Sequence, residues 1–178
     1  MEKVILVDEA DNAVGEMEKM EAHIKGALHR AFSVFVLDGK ERLLLQRRAL
    51  GKYHSPSLWT NTCCSHPRSG ESVGQAAHRR MQEEMGFDCP LENVFTFIYH
   101  ATFDNGLTEH ELDHVLIGFS DEIPVPNPEE IHEFKWMPLP EISKSIQDNP
   151  ELYTVWFQIA FIKVTEYLDK MKTSDVRK

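Results

Sequence analysis

The chain has 178 residues, 42% hydrophobic and 27% charged, which is enough apolar material for one sizeable core and excludes a disordered polar chain. Its formal charge of −10, from 29 acidic against 19 basic side chains, disfavours nonspecific attachment to nucleic acid. No run of about 18 apolar residues occurs, so no membrane span is expected, and the N-terminal stretch lacks the apolar core and cleavage site of a signal peptide. Among three cysteines, Cys63 and Cys64 are neighbours, so a disulfide scaffold is not expected and a reducing cytoplasm fits best.

With no repeat and no low-complexity linker, residues 1–178 read as a single domain. "VILVD" (4–8) predicts a first strand, turned by "DNAVG". "LHRAFSVFVLD" (28–38) and "RLLLQRRA" (42–49) flank "GKE" and predict a hairpin. "GKYHSPS" (51–57) is a loop by its Gly, Pro and Ser content. Residues 72–87 predict a helix: Ser72 caps it, Gln75 completes a capping box and Gly86 ends it. On that helix Arg80 and Glu84 fall beside the apolar stripe of Val73, Ala76, Ala77 and Met81. A solvated i,i+4 pair and a functional pair fit that spacing equally. Strands at 94–103 and 108–120 flank "DNG", a strong hairpin signal. A Pro-rich connection follows, then a short strand "EFKWMP", a short helix "LPEISKSIQ" and a long, mostly apolar helix over 150–171 that opens with Pro150. Hairpins mixed with strand–helix steps predict an α/β fold, a sandwich around a mixed sheet.

Three groups of residues could carry chemistry. In "TEHELDH" the strand period turns Glu109, Glu111 and Asp113 to one face and His110, Leu112 and His114 to the other. A solvated acidic face explains the triplet; buried, the carboxylates would call for a cation. His23, His29 and His66 supply imidazoles that would suit a zinc- or manganese-like ion. Arg47, Arg48 and Lys52, with Lys19 and Arg80, are cations that fit either solubility or a diphosphate group. Cys64 lies two residues before His66 and near cations, as a thiolate or proton donor would. Cys63 points to the opposite side in an extended stretch, so one of the two is expected to be buried and inert, as a small core residue.

Together, "EKMEAH", "LHRAFSVF", "RLLLQRRALGK", "SLWTNTCCSHPRSGES", "RRMQEEMG" and "EHELDHV" resemble the type I isopentenyl diphosphate isomerases, which have a Nudix-like α-β-α sandwich fold. Against the Nudix hydrolase pattern, Glu71, Arg79, Met81, Glu83, Glu84, Gly86 and Phe87 match, while Ser65 replaces the first Gly and Arg80 replaces a Glu. A guanidinium in place of a carboxylate weakens a magnesium-hydrolysis site and favours gripping a diphosphate. The resemblance implies interconversion of isopentenyl and dimethylallyl diphosphate, a 1,3-proton shift through a tertiary carbocation in isoprenoid biosynthesis. It implies one metal site, Zn or Mn, made by His23, His29, His66, Glu109 and Glu111, and a Mg²⁺ on the substrate diphosphate helped by Glu84. It further implies Cys64 and Glu111 as proton-transfer groups, Tyr99 assisting Glu111, and Trp156 as the aromatic beside the cation, where spacing alone allows a packed core tryptophan. Lys19, Arg48, Lys52, Ser65 and Arg80 match diphosphate-contacting positions. No flavin or nicotinamide is expected, since no dinucleotide glycine fingerprint appears. The competing readings are a Nudix hydrolase of nucleoside diphosphate compounds and a metal-stabilised binding module without catalysis.

Overall fold

The structure, a computed structural model, describes residues 2–175. In chain order its elements are β1 (Lys3–Val7), β2 (Ala13–Glu18), α1 (Lys19–Lys25), β3 (His29–Leu37), β4 (Arg42–Arg48), β5 (Trp59–Thr60), β6 (Cys63–Ser65), α2 (Val73–Met85), β7 (Leu91–Thr102), β8 (Thr108–Phe119), β9 (Ile131–Pro138), α3 (Leu139–Asp148) and α4 (Val155–Asp175). The strands form one mixed sheet with β3 as its branching member: it pairs parallel with β8 and antiparallel with β6, and meets β1 and β4 at its ends.

The period of two along β3 divides the interior. Phe32, Val34 and Val36 pack towards α2 with Cys63, Ala76, Ala77, Met81 and Met85. Phe35 and Leu37 pack towards α3 and α4 with Ile142, Trp156, Phe157 and Phe161. Helices thus cover both faces, giving the α-β-α sandwich. The cap of α2 forms as its sequence dictates: Ser72 accepts from the Gln75 N–H, the Gln75 side chain accepts from the Ser72 N–H, and Gly86 closes the helix at φ 72°. No helix among the described residues is long and apolar enough to cross a membrane.

Several elements differ from expectation. The 28–38 and 42–49 segments are strands, but they pair with each other only at Leu37–Leu43; β4 runs instead along β9. Their predicted hairpin is therefore splayed, because the apolar residues of both strands find larger partners elsewhere. The final helix begins at Val155, not at Pro150, which opens a single 3₁₀ turn. Between the two, Thr154 is tied to β5: its N–H donates to the Trp59 carbonyl and its hydroxyl to Thr60. That tie places Trp156 in the first turn of α4, over the open end of the sheet. The strand β2, the short helix α1 and the short strands β5 and β6 have no counterpart in the sequence reading.

Candidate active site

The site forms where the flanks of β3 meet α1, α4 and the loop before β5. Register does much of the placement. His29 lies opposite Glu111 across the β3–β8 pair, and Tyr99 lies opposite Glu111 across β7–β8. On the other side of β3, Ser33 faces Cys64 of β6. Cys63 is fully buried under α2, whereas Cys64 packs towards the α4 side and lines the cavity. Burial raises the Cys64 pKa to about 12 although Arg48 works against it, so the group stays a thiol at neutral pH.

Helix α1 delivers His23. The Glu18 carboxylate caps it by accepting from the Glu21 N–H, and Gly26 ends it in the left-handed region. His23 Nδ1 meets the Lys19 carbonyl at 2.6 Å and His29 Nδ1 meets the Ala27 carbonyl at 2.8 Å. A carbonyl only accepts, so both Nδ1 atoms carry the proton and both Nε2 lone pairs turn inward. Neither Nε2 has a hydrogen-bond partner among the described residues. His66 Nε2 lies 2.9 Å, and His29 Nε2 3.4 Å, from the same Glu111 Oε1. One ligand atom from each of His23, His29, His66 and Glu111 lies within 4.8 Å of the others.

Glu109, Glu111 and Asp113 are all buried, so the solvated acidic face does not hold. The Tyr99 hydroxyl lies 2.5 Å from Glu111 Oε2 and 2.8 Å from Glu109 Oε2. Asp113 accepts from the Ser33 hydroxyl, and burial drives its pKa up, as it does for the Tyr99 phenol. Burial and the neighbouring Glu111 charge raise Glu109 as well. Glu111 goes the other way: burial works against its charge, but the His29 and His66 imidazoles set against it hold it low. Burial also pushes His23 down, and His66 down to about 4, which favours the neutral imidazoles that bind metal. His29 is raised, since contact with Glu111 outweighs its burial. One shared proton would settle only that last contact. A divalent cation would satisfy three lone pairs and a carboxylate together, so the donor set fits a metal.

Glu109 does not join that four-residue set. It forms an overlapping one with His23 and His54. The expected five-ligand site is thus divided into two groups that share His23.

Cations line the same cavity. Lys19, Arg48, Lys52, Ser65, Arg80 and Glu84 all line it. Arg80 contacts Glu83, Glu84 and Glu130, Lys52 pairs with Glu130, and Lys19 with Glu2. Glu84 is only 4% exposed, so the Arg80–Glu84 pair is buried and not a solvated helix edge. Arg48 is buried too; it lies over the Trp156 ring at 5.3 Å, and its Nε has no partner among the described residues. Trp156 belongs to the α4-side core and also lines the cavity, so its two readings coexist.

The Nudix domain family matches residues 27–157. An isopentenyl-diphosphate Delta-isomerase from Pectobacterium atrosepticum is 48% identical over 175 residues, covering 98% of both chains. The isopentenyl-diphosphate Delta-isomerase 2 of Photorhabdus laumondii is 54% identical over 157 residues, covering 88% of this chain and 89% of its own. The chain belongs to this isomerase family, built on a Nudix domain. Solved structures agree on the fold alone. A Deinococcus radiodurans protein aligns with a TM-score of 0.69 at 19% identity, covering 83% of this chain and 90% of its own. A MutT protein from Methanosarcina mazei aligns with a TM-score of 0.65 at 17% identity, over 79% and 94% respectively.

Sequence reasoning missed His54, Tyr53, Gln46 and Glu130 in this isomerase-family site. Gln46 donates to Glu84 and to the Thr62 carbonyl. His54 and Tyr53 come from a loop whose Gly, Pro and Ser content signalled only irregular chain. The one usable signal was an aromatic and an imidazole directly after Lys52.

Proposed function

We propose that this chain interconverts isopentenyl diphosphate and dimethylallyl diphosphate by protonation and deprotonation across the alkene. The reading is carried by one cavity that holds Cys64, Glu111, Tyr99 and Trp156 beside Arg48, Lys52 and Arg80.

Arg48, Lys52, Lys19, Arg80 and the Ser65 hydroxyl anchor the diphosphate, and Glu84 would help hold the Mg²⁺ that accompanies it. Anchoring fixes the alkene between Cys64 on β6 and Glu111 on β8, which flank β3 from opposite sides. One group adds a proton to the terminal alkene carbon, leaving a tertiary cation. The other removes a proton from the carbon on the far side of that centre, and the double bond moves with no change in oxidation state. Because the reaction is reversible, the donor of one direction is the acceptor of the other. Tyr99 holds the Glu111 carboxylate through its hydroxyl. Water must be kept from the cation, and the indole of Trp156 offers it an aromatic face, an interaction of roughly 0.5–2 kcal/mol. His23, His29, His66 and Glu111 would hold a divalent ion, zinc or manganese, with Glu109 beside it through the group it shares with His23. When bound, that ion fixes and polarises the Glu111 carboxylate.

The test is incubation with isopentenyl diphosphate and Mg²⁺, followed by NMR. Alkene migration supports the reading, phosphate release supports a hydrolase, and neither supports a binding module. Cys64→Ala should abolish migration while pyrophosphate still binds, and Cys63→Ala should retain turnover. The reverse pattern would refute the assignment.

A further inference from the structure

We infer that Glu130 is an internal competitor for the diphosphate site: its carboxylate holds Lys52 and Arg80 until a diphosphate displaces it, and so sets how tightly substrate and product are kept. The inference rests on the reading of the cavity as a diphosphate site and adds a residue to it. One oxygen carries the arrangement. Glu130 Oε2 pairs with Lys52 Nζ and lies 3.3 Å from a terminal nitrogen of Arg80. Lys52 comes from the loop after β4 and Arg80 from α2, so this oxygen is the point at which the two segments' cations meet. A phosphoryl oxygen would ask the same of a lysine and an arginine. Burial works against the Glu130 charge, yet Lys52 and Arg80 hold its carboxyl below the usual range.

The side chain is not what holds this corner of the fold together. The segment before β9 is fixed by its main chain. The Val125 and Asn127 N–H groups donate to the Met85 and Glu84 carbonyls at the end of α2, and the Glu130 carbonyl accepts from the Ala49 N–H at 3.0 Å. Arg48 is in register with Ile131 across β4–β9. With those bonds in place, the Glu130 carboxylate can swing off Lys52 without moving the backbone. The other carboxylates on the cations are placed differently. Glu84 is nearly fully buried and also accepts from Gln46, so it stays. Glu2 pairs with Lys19 at 3.1 Å through a side chain about half exposed, where solvent screens the contact. Glu130, with a side chain 23% exposed, is buried enough to matter and open enough to leave.

The proton shift leaves the diphosphate untouched, so substrate, transition state and product feel Glu130 alike. Its effect falls on uniform binding: it raises KM, speeds release of either isomer, and lowers kcat/KM by the same factor. In a reversible reaction whose ligands share one anionic group, every cation that aids capture also retards departure, and a displaceable carboxylate offsets that.

The test is calorimetry with pyrophosphate and Mg²⁺ on the full chain, comparing wild type, Glu130→Gln, Lys52→Met and the double variant, with steady-state kinetics alongside. Glu130→Gln keeps the shape and removes the charge. It should tighten pyrophosphate binding about fivefold and lower KM in proportion, with a gain that shrinks as salt is raised. In the Lys52→Met background the gain should fall to about twofold or less. Unchanged or weakened binding in Glu130→Gln would overturn the inference and make Glu130 a residue that orients Lys52. An equal gain with and without Lys52 would also overturn it, since net charge and not the pair would be responsible. If wild type binds no pyrophosphate, the diphosphate reading falls and the inference with it, an outcome distinct from wild-type binding without a gain. Should the Gln variant not fold, a crystal structure of wild type with pyrophosphate decides the matter: Lys52 Nζ moved from Glu130 Oε2 to a phosphate oxygen supports displacement, and Nζ still on Oε2 refutes it.

Discussion

Replacing Arg80 with Met tests whether α2 holds a buried charge system or a decorative one. The Arg80 Nε and terminal nitrogen lie 3.0 and 2.5 Å from Glu84 Oε1, and the other terminal nitrogen lies 2.8 Å from Glu83. Although burial works against its charge, Glu84 and Glu130 raise the Arg80 pKa further above its ordinary range. Methionine fills most of the side chain's volume but leaves Glu84, 4% exposed, without a cation and with the Gln46 amide at 3.0 Å and the Cys63 thiol as its neutral partners. Stranding one partner of a buried ion pair costs about 3–5 kcal/mol, and the surviving amide contact favours the lower figure, about 3 kcal/mol. At this chain length that lowers Tm by about 6–12 °C. The double variant Arg80→Met, Glu84→Gln removes both charges and leaves an amide beside an amide. It should recover most of the loss, giving a coupling of about 2 kcal/mol in a thermal or urea-melt cycle. Single effects that add to within about 0.5 kcal/mol would refute the reasoning, since the two groups would then be energetically independent.

Gly86→Ala should cost at least about 2 kcal/mol in urea unfolding, because φ is 72° and the new Cβ would stand 2.5 Å from the Val125 carbonyl oxygen; a loss under about 0.5 kcal/mol would contradict the geometry. Stripping the metal with a chelator should lower stability by about 2.7 kcal/mol if the ion was present at about 100 times its Kd, a fall in Tm of about 5–11 °C; an unchanged melt would show that the His and Glu set holds no ion. Alkylation of Cys64, followed by mass spectrometry, should accelerate about tenfold per pH unit from pH 7 to 10. At pH 8 it should run about 10³-fold slower than a free thiol of pKa about 8.5, since burial holds this one near 12; a plateau near pH 9 would refute the raised pKa.

What was legible in the sequence is what local chemistry decides. Ser72, Gln75 and Gly86 fix the ends of α2 by contacts within a few residues, and the "DNG" turn joins β7 to β8 in the same way. Strand alternation alone separated Cys63 from Cys64 and put Glu109, Glu111 and Asp113 on one face. Alternation could not say whether that face is wet. Its burial depends on β8 lying between β3 and β7 with the first turn of α4 above, and every one of those contacts is distant in sequence. The same reason hid the splayed β3–β4 pair, whose partner choice is settled by β8 and β9. Strand β2 carries no signal at all, because most of its residues are exposed and its sequence does not alternate. Helix α1 is too short to show a stripe, so His23 and His29 read as flanking a turn. Loop 49–58 supplied the largest omission, since nothing in "GKYHSPS" announces that His54 folds back onto a carboxylate 55 residues later.

The charge pairing on α2 explains why this Nudix scaffold suits isomerisation better than hydrolysis. A hydrolase built on this helix would need its carboxylates free to gather magnesium. Here Glu71 is taken by Arg79 through contacts of 2.7 and 2.9 Å and Glu83 is shared by Arg79 and Arg80, so of these carboxylates only Glu84, itself paired with Arg80, remains to meet the magnesium carried by the diphosphate. The carboxylates left for a tight metal site stand on β8 instead, where the imidazoles of α1, β3 and the segment after β6 converge on them. On the proposed reading, anion grip and proton chemistry share one cavity. The guanidinium of Arg48, without a carboxylate partner among the described residues and lying over Trp156, is the element that joins them. A cation there can meet the diphosphate on one side while its indole neighbour closes the hydrocarbon end against water. Arg48→Met should therefore weaken pyrophosphate binding and turnover together, whereas Trp156→Leu should lower turnover with pyrophosphate binding kept. Equal losses of binding in both variants, measured by calorimetry, would show that the two roles are not separable.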